Sequence, residues 1–278
     1  MRTLEIREAR KQSPLPVAPY DRWITPDGEE TAQFHRVPEG FLLRFPGHAD
    51  FLVPHGPLPV PCWPIPGSDR AHIDHLFENS VLPLIGNHAG GLFMHGSAVA
   101  IGDKAVAFLG LSRRGKTTLA GAFARAGHPF LAEDMLALEA TASGYDLLPG
   151  KGVLRLFADS ADHLLGHPSG GDTDGKALLE ASTKLPHRRA KMPLSAMFVL
   201  GPGDVEGVQV DALAPAEALA QIIPHSFILD VEDRLRLRAH FDRVGALAEA
   251  VPCLALDYPR RFSELEGVIS AVIARMPK

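Results

Sequence analysis

The stretch that most constrains this 278-residue chain runs from Ala105 to Thr118, AVAFLGLSRRGKTT. Five apolar residues, Ala105 to Leu109, lead directly into Gly110-Leu111-Ser112-Arg113-Arg114-Gly115-Lys116-Thr117, which fits the pattern G-x-x-x-x-G-K-[ST]. Such a pattern needs its glycines so that successive backbone N–H groups can turn inward around phosphate oxygens with no Cβ in the way. Lys116 would place a point charge on the outer phosphates, and Thr117 would offer a hydroxyl to Mg²⁺. Gly110, Ser112, Arg113, Arg114, Gly115 and Thr118 complete the expected cradle. The residues that follow, Thr117 to Ala126, put Leu119, Ala120, Phe123 and Ala124 on one side and stop at Gly127, which predicts an amphipathic helix with its N-terminus at the anion. Strand, glycine-bounded loop and helix in that order are the context in which this motif binds nucleotide phosphates.

The segments on either side add chemistry. Leu92 to Ile101 and Ala105 to Leu109 flank Gly102-Asp103-Lys104 and read as a hairpin, and its second strand is apolar at every position, as a strand covered on both faces would be. Pairing in that hairpin would carry His95 toward the phosphate end of the sheet. Pro129 to Ala132 reads as a further strand ending in Glu133-Asp134, at the C-terminal edge where ligand sites of open α/β sheets gather. One carboxylate there could hold Mg²⁺ and the other accept a proton from a hydroxyl. Neighbouring side chains on a strand point to opposite faces, so the two need not reach the same atom. Further strands are expected at 135–139, 153–157, 196–200 and 208–212, and helices at 160–165, 231–250 and 261–276. The fold class is mixed α/β.

Residues 1–90 have a different texture and are expected to form a strand-rich accessory region ahead of a domain spanning 91–278. Gly40 to Phe45 and Asp50 to Val53 read as short strands, and Pro54 to Gly67, with prolines at 57, 59, 61, 64 and 66, as a surface connection. A helical pattern follows over 69–84. A formal charge of −5 offers no basic field for nucleic acid, and no apolar run approaches the length of a membrane span. Met1 to Glu8 has no apolar signal-like region, so the expected location is the cytoplasm. The two cysteines, Cys62 and Cys253, are far apart and read as buried thiols, and the thirteen histidines show no zinc-ligand spacing.

Three segments together, Met94-His95-Gly96-Ser97-Ala98-Val99, Gly110 to Thr117 and Gly127-His128-Pro129-Phe130-Leu131-Ala132-Glu133-Asp134, resemble in order and spacing the HPr kinase/phosphorylase-like serine kinases. That family has a P-loop fold of the phosphoenolpyruvate carboxykinase type, and the resemblance covers roughly residues 80–160. It implies ATP and Mg²⁺ as cofactors, with Lys116 and Arg155 on phosphate, Thr117 and Asp134 on metal, Glu133 as catalytic base and His95 as partner of the acidic pair. Three departures stand out. Glu133 replaces an aspartate, Arg113 replaces a glycine, and Val153-Leu154-Arg155 keeps only the arginine of a Glu-Ile-Arg motif. Divergent members that phosphorylate lasso-peptide precursors are similar in Asn79 to Leu84 and in the His-Gly-Ser-Ala-Val strand. The acceptor implied is a Ser/Thr hydroxyl of a peptide or small protein, with HPr, free serine or a regulatory module that binds ATP without transfer as alternatives. Lys176 is a candidate downstream cation, and a homo-oligomer is compatible with the resemblance.

Overall fold

A computed structural model of the chain describes residues 2–25, 27–166 and 175–277. They form two compact units: Met1–Gly90 with Phe227–Leu237, and Gly91–Ser226 with Arg238–Lys278.

The first unit contains strands β1 (Leu4–Ile6), β2 (Asp21–Ile24), β3 (Glu30–Val37), β4 (Gly40–Phe45), β5 (Ala49–Pro54) and β6 (Val60–Pro64), followed by helices α1 (Arg70–Leu76) and α2 (Leu82–His88) joined by a π-turn over Phe77–Val81. Its sheet has the order β1-β6-β5-β4-β3-β2. The proline cluster expected to be a surface connection holds β6, which pairs parallel with β1 and antiparallel with β5. A short strand carries prolines wherever the missing N–H faces no ladder acceptor. The helical segment also runs past its expected end at Leu84 to His88, and Pro83 is tolerated within it because it sits in the first turn of α2. Phe34, Leu43, Phe51, Ile73 and Phe77 fill the core, and Phe51 stacks on Phe77 at 6.4 Å. Within it, Arg44 donates to both carboxylate oxygens of Asp50 at 2.8 and 2.9 Å and to the Ser13 carbonyl at 2.7 Å.

The second unit continues with β7 (Leu92–Ile101), β8 (Lys104–Leu109), α3 (Lys116–Arg125), β9 (Phe130–Ala132), β10 (Met135–Thr141), β11 (Gly144–Leu147), β12 (Val153–Phe157), α4 (Ala158–Leu165), β13 (Lys176–Glu180), β14 (Met192–Leu200), β15 (Gln209–Ala212), α5 (Pro215–Ile222), α6 (Arg234–Ala250), β16 (Cys253–Asp257) and α7 (Leu265–Arg275). The order is β11-β10-β7-β8-β14-β16-β15, with β11 also pairing β14. Strands β8, β14 and β16 run parallel, and β7 and β8 form the hairpin. Beyond Lys104, β8 is apolar and covered on both faces. Val106 and Phe108 pack with Leu119 and Phe123 of α3, while Ala105, Ala107 and Leu109 pack with Ile222 of α5 and Leu247 of α6. The sequence patterns left β11, β13, α5 and β16 unmarked, because these are short or lack a clean period. Both cysteines are buried and free.

Candidate functional site

The loop Gly110–Gly115 joins the C-terminal end of β8 to the first turn of α3. Gly110 (φ 149°) and Gly115 (φ 87°) take backbone conformations that favour glycine, and Arg113 sits at φ 64°, left-handed without being glycine. Gly115 stands at the start of α3 with no side-chain cap, so the helix keeps its first N–H groups for another acceptor. Lys116 folds back over the loop, and its ammonium donates to the Gly110 and Leu111 carbonyls at 2.8 and 3.0 Å. Burial pushes that ammonium down to about 8, helped by Lys176 and opposed by Asp134 and Glu133. Ser97, fully buried in β7, donates from its hydroxyl to the Lys116 carbonyl at 2.8 Å and ties the first residue of α3 to the hairpin.

Strands β9 and β10 lie one after the other along the same edge of β7, with Ala132 opposite Ala98 and Met135 opposite His95. Glu133 and Asp134 occupy the break between them. Asp134 is the centre of a tight turn at φ 62°, closed by the Met135 N–H on the Glu133 carbonyl at 2.8 Å. This turn overrides the strand alternation expected for two neighbours, and it sets the Asp134 carboxyl close enough to raise that of Glu133. Across the break, the Asp134 carbonyl accepts the Gly96 N–H at 3.2 Å and the His95 Nδ1 at 2.9 Å. A carbonyl only accepts, so Nδ1 carries the proton and Nε2 keeps its lone pair. Gly96 is glycine for want of space: a Cβ there would lie 2.7 Å from the Phe108 carbonyl oxygen.

Thr117 donates from its hydroxyl to Glu133 Oε1 at 2.9 Å, so Glu133, the residue expected to act as base, meets the loop threonine directly. Burial, then the neighbouring Asp134, raise the Glu133 carboxyl well above the usual range. His95 is pushed down to about 4, first by burial and then by Lys116. Both groups keep some contact with solvent, but protein surrounds them on their other sides.

A cavity of about 440 Å³ opens over the loop and is lined by His95, Ser112, Arg113, Gly115, Lys116, Thr117, Thr118, Asp134, Arg155 and Lys176, with Leu156 to Ser160 and the segment from Tyr258 to Leu265 forming further walls. Gly110, Arg114 and Glu133 are not on its wall; Gly110 contributes a carbonyl to Lys116, and Glu133 contacts Thr117. Arg155 is buried on β12, and Lys176 opens β13 with its ammonium 5.3 Å from the Phe157 ring centre. The wall formed by Tyr258, Arg260 and Phe262 carried no sequence signal. Arg260 lies 4.0 Å above the Tyr258 ring and donates to the Gly201 carbonyl, and Phe262 stacks on His163 at 4.3 Å. His225 was also missed. The antiparallel bridge Met94–Ser226 sets it beside His95, and it is 6% exposed. Thr118 and Ser160 share a hydrogen bond at 3.0 Å at the foot of α3.

Oxygen donors from Thr117, Glu133 and Asp134, beside a loop that directs N–H groups and cations into one cavity, suit a hard cation held jointly with an anion. No helix among the described residues is long and apolar enough to cross a membrane. No family model and no curated protein matches the sequence. Among solved structures, the Hpr(Ser) kinase/phosphatase from Coxiella burnetii is similar over 66% of this chain and 95% of its own, at 12% identity and a TM-score of 0.35.

Proposed function

We propose that the chain is an ATP-dependent, Mg²⁺-requiring kinase that phosphorylates a Ser or Thr hydroxyl of a peptide or small protein, a lasso-peptide precursor being one candidate acceptor. The observation that carries this reading is the convergence of the glycine-bounded loop, Lys116, Thr117 and Asp134 on one cavity, with Glu133 held by the Thr117 hydroxyl. Phosphate oxygens would replace the Gly110 and Leu111 carbonyls as acceptors for the Lys116 ammonium, and the open first turn of α3 would supply N–H donors to the same anion. Arg113, Arg155 and Lys176 add positive charge where a transferring phosphoryl group spreads its own. Mg²⁺, when bound, would offset phosphate charge, with Thr117 and Glu133 as the residues to hold it.

The contact between Thr117 and Glu133 shifts the two acidic roles relative to the family resemblance. Glu133 is engaged by the Thr117 hydroxyl, and burial with the neighbouring Asp134 raises its carboxyl, whereas Asp134 lines the cavity where an acceptor hydroxyl would sit. Asp134 is therefore assigned as the group that takes the acceptor hydroxyl proton, with His95 fixing its backbone through Nδ1. A transfer-free nucleotide-binding module is the second reading. It is favoured by Val153, which stands where the family has a glutamate and lines a different cavity. Incubation with γ-labelled ATP, Mg²⁺ and serine-containing peptides, followed by mass location of the phosphate, separates the two. Asp134→Asn should still bind nucleotide while transfer falls about 10²–10⁴-fold. Glu133→Gln should instead raise the Mg²⁺ concentration needed. Transfer unchanged in Asp134→Asn would remove Asp134 from the base role, and no transfer by wild type to any peptide would favour the second reading.

A further inference from the structure

Behind the acidic pair lies a second cavity, of about 410 Å³, in the same unit. Gly150 and Gly152 form part of its wall with Val153, and Glu180, His187 and Arg189 are its polar members. It backs onto β9. The Leu131 carbonyl accepts both the Gly150 N–H at 2.8 Å and His187 Nε2 at 3.2 Å, two residues before Glu133. A Cβ on Gly150 would lie 3.2 Å from Ala132 Cα and 3.7 Å from the Glu133 nitrogen. The wall of this cavity is thus held against the strand that delivers Glu133 and Asp134.

The charge around it runs against that of the chain. In a protein of formal charge −5, the segment Lys184-Leu185-Pro186-His187-Arg188-Arg189-Ala190-Lys191 concentrates four cationic residues. Lys184, Arg188 and Arg189 are exposed, whereas Lys191 is engaged with Glu139 and Asp146 at 3.1 and 3.3 Å. The backbone fixes this segment: the Arg188 N–H donates to the Phe130 carbonyl at 2.8 Å, and the His187 ring lies 4.8 Å from that of Phe130. Glycines without side chains let another backbone approach closely, and Val153 offers an apolar wall.

From these observations we propose that the second cavity is a docking groove for an extended, acidic peptide segment of the phosphoacceptor, held by Arg189 on its wall, with the exposed Arg188 next to it in the chain adding charge, and passing over Gly150 and Gly152. The identification of the segment as part of an acceptor rests on the kinase reading above. Glu180 sets the register, since an acidic side chain is favoured beside Arg189 and disfavoured beside Glu180.

The test is fluorescence anisotropy of the full chain with a fluorescein-labelled peptide of alternating Glu and Ser at low salt, against the same peptide with Lys in place of Glu. The Glu peptide should bind and the Lys peptide should not. In the double variant Arg188→Glu, Arg189→Glu, affinity for the Glu peptide should fall at least about tenfold and lose most of its salt dependence, because rim charges act through steering and screened attraction. MgATP affinity, measured by calorimetry on the same variant, should not change. Absence of binding by wild type, or binding indifferent to the double reversal, overturns the proposal. So does displacement of the Glu peptide by an oligonucleotide of equal charge at equal concentration, which would mark a general polyanion surface. Peptide binding needs no nucleotide, so a chain that binds the Glu peptide but not MgATP would sink the kinase reading and leave a peptide groove.

Discussion

Replacing His225 by Gln removes an imidazole whose protonation the fold resists, and the expected effect follows from its surroundings. His225 is 6% exposed, and burial, then Lys116, then His95 push it down to about 4. The same side chain in the unfolded chain titrates near 6.5. Between those values the unfolded chain binds a proton that the folded chain refuses, so stability is complete above about pH 6.5 and falls as the pH drops toward 4. A gap of about 2.5 pH units, at about 1.4 kcal/mol each, makes this residue responsible for about 3 kcal/mol of acid destabilisation. His95 and His240, also pushed down to about 4, act in the same direction and remain in the variant. The assay is urea unfolding of both proteins at a series of pH values from about 7.5 to about 4.5, followed by circular dichroism. The variant should lose about 2.5 kcal/mol less than wild type across that interval, the remainder falling below pH 4.5. Equal acid losses in the two proteins would show that His225 titrates normally, and would refute its placement between Lys116 and His95.

In the first unit, Arg44→Met should cost about 3 kcal/mol because it leaves the buried Asp50 carboxylate with only Gln12 and the longer Arg10 contact, and a double change of Arg44 and Asp50 to apolar residues should recover most of that in thermal melts. Asp134→Gly relieves a left-handed residue at φ 62° and removes the carboxyl that raises Glu133, so it should raise the melting temperature, by about 1 kcal/mol in stability, while abolishing phosphoryl transfer. A lower melting temperature would mean the turn is not strained.

The parts of the site built from local sequence were legible because their patterns carry the physics directly. Gly110 and Gly115 mark a loop that needs unusual backbone, the unbroken apolar run in β8 marks a strand covered on both sides, and the two-residue turn at Gly102-Asp103 brings His95 to the mouth of that loop. What long-range pairing decides was not legible. The alternation rule for Glu133 and Asp134 failed because β9 and β10 share one edge of β7 and the chain must turn at Asp134 to continue along it. Proline density hid β6, whose partners β1 and β5 lie on either side of it. Tyr258, Arg260 and Phe262 reach the cavity only because β16 runs parallel to β14, next to β8, and His225 reaches His95 through a single bridge. Neither fact has a local signature. Ser97 could have been found, since a hydroxyl at the head of the apolar run Ala98 to Ile101 in a covered strand needs a buried acceptor.

The central claim, that Lys116 and the surrounding loop bind the phosphates of a metal nucleotide, is tested most directly by calorimetric titration of wild type and Lys116→Met with MgATP. The account predicts saturable binding by wild type and a loss of at least about tenfold, or about 1.4 kcal/mol, in the variant with its circular dichroism unchanged. Absence of binding by wild type, or equal affinity in the two proteins, would contradict it.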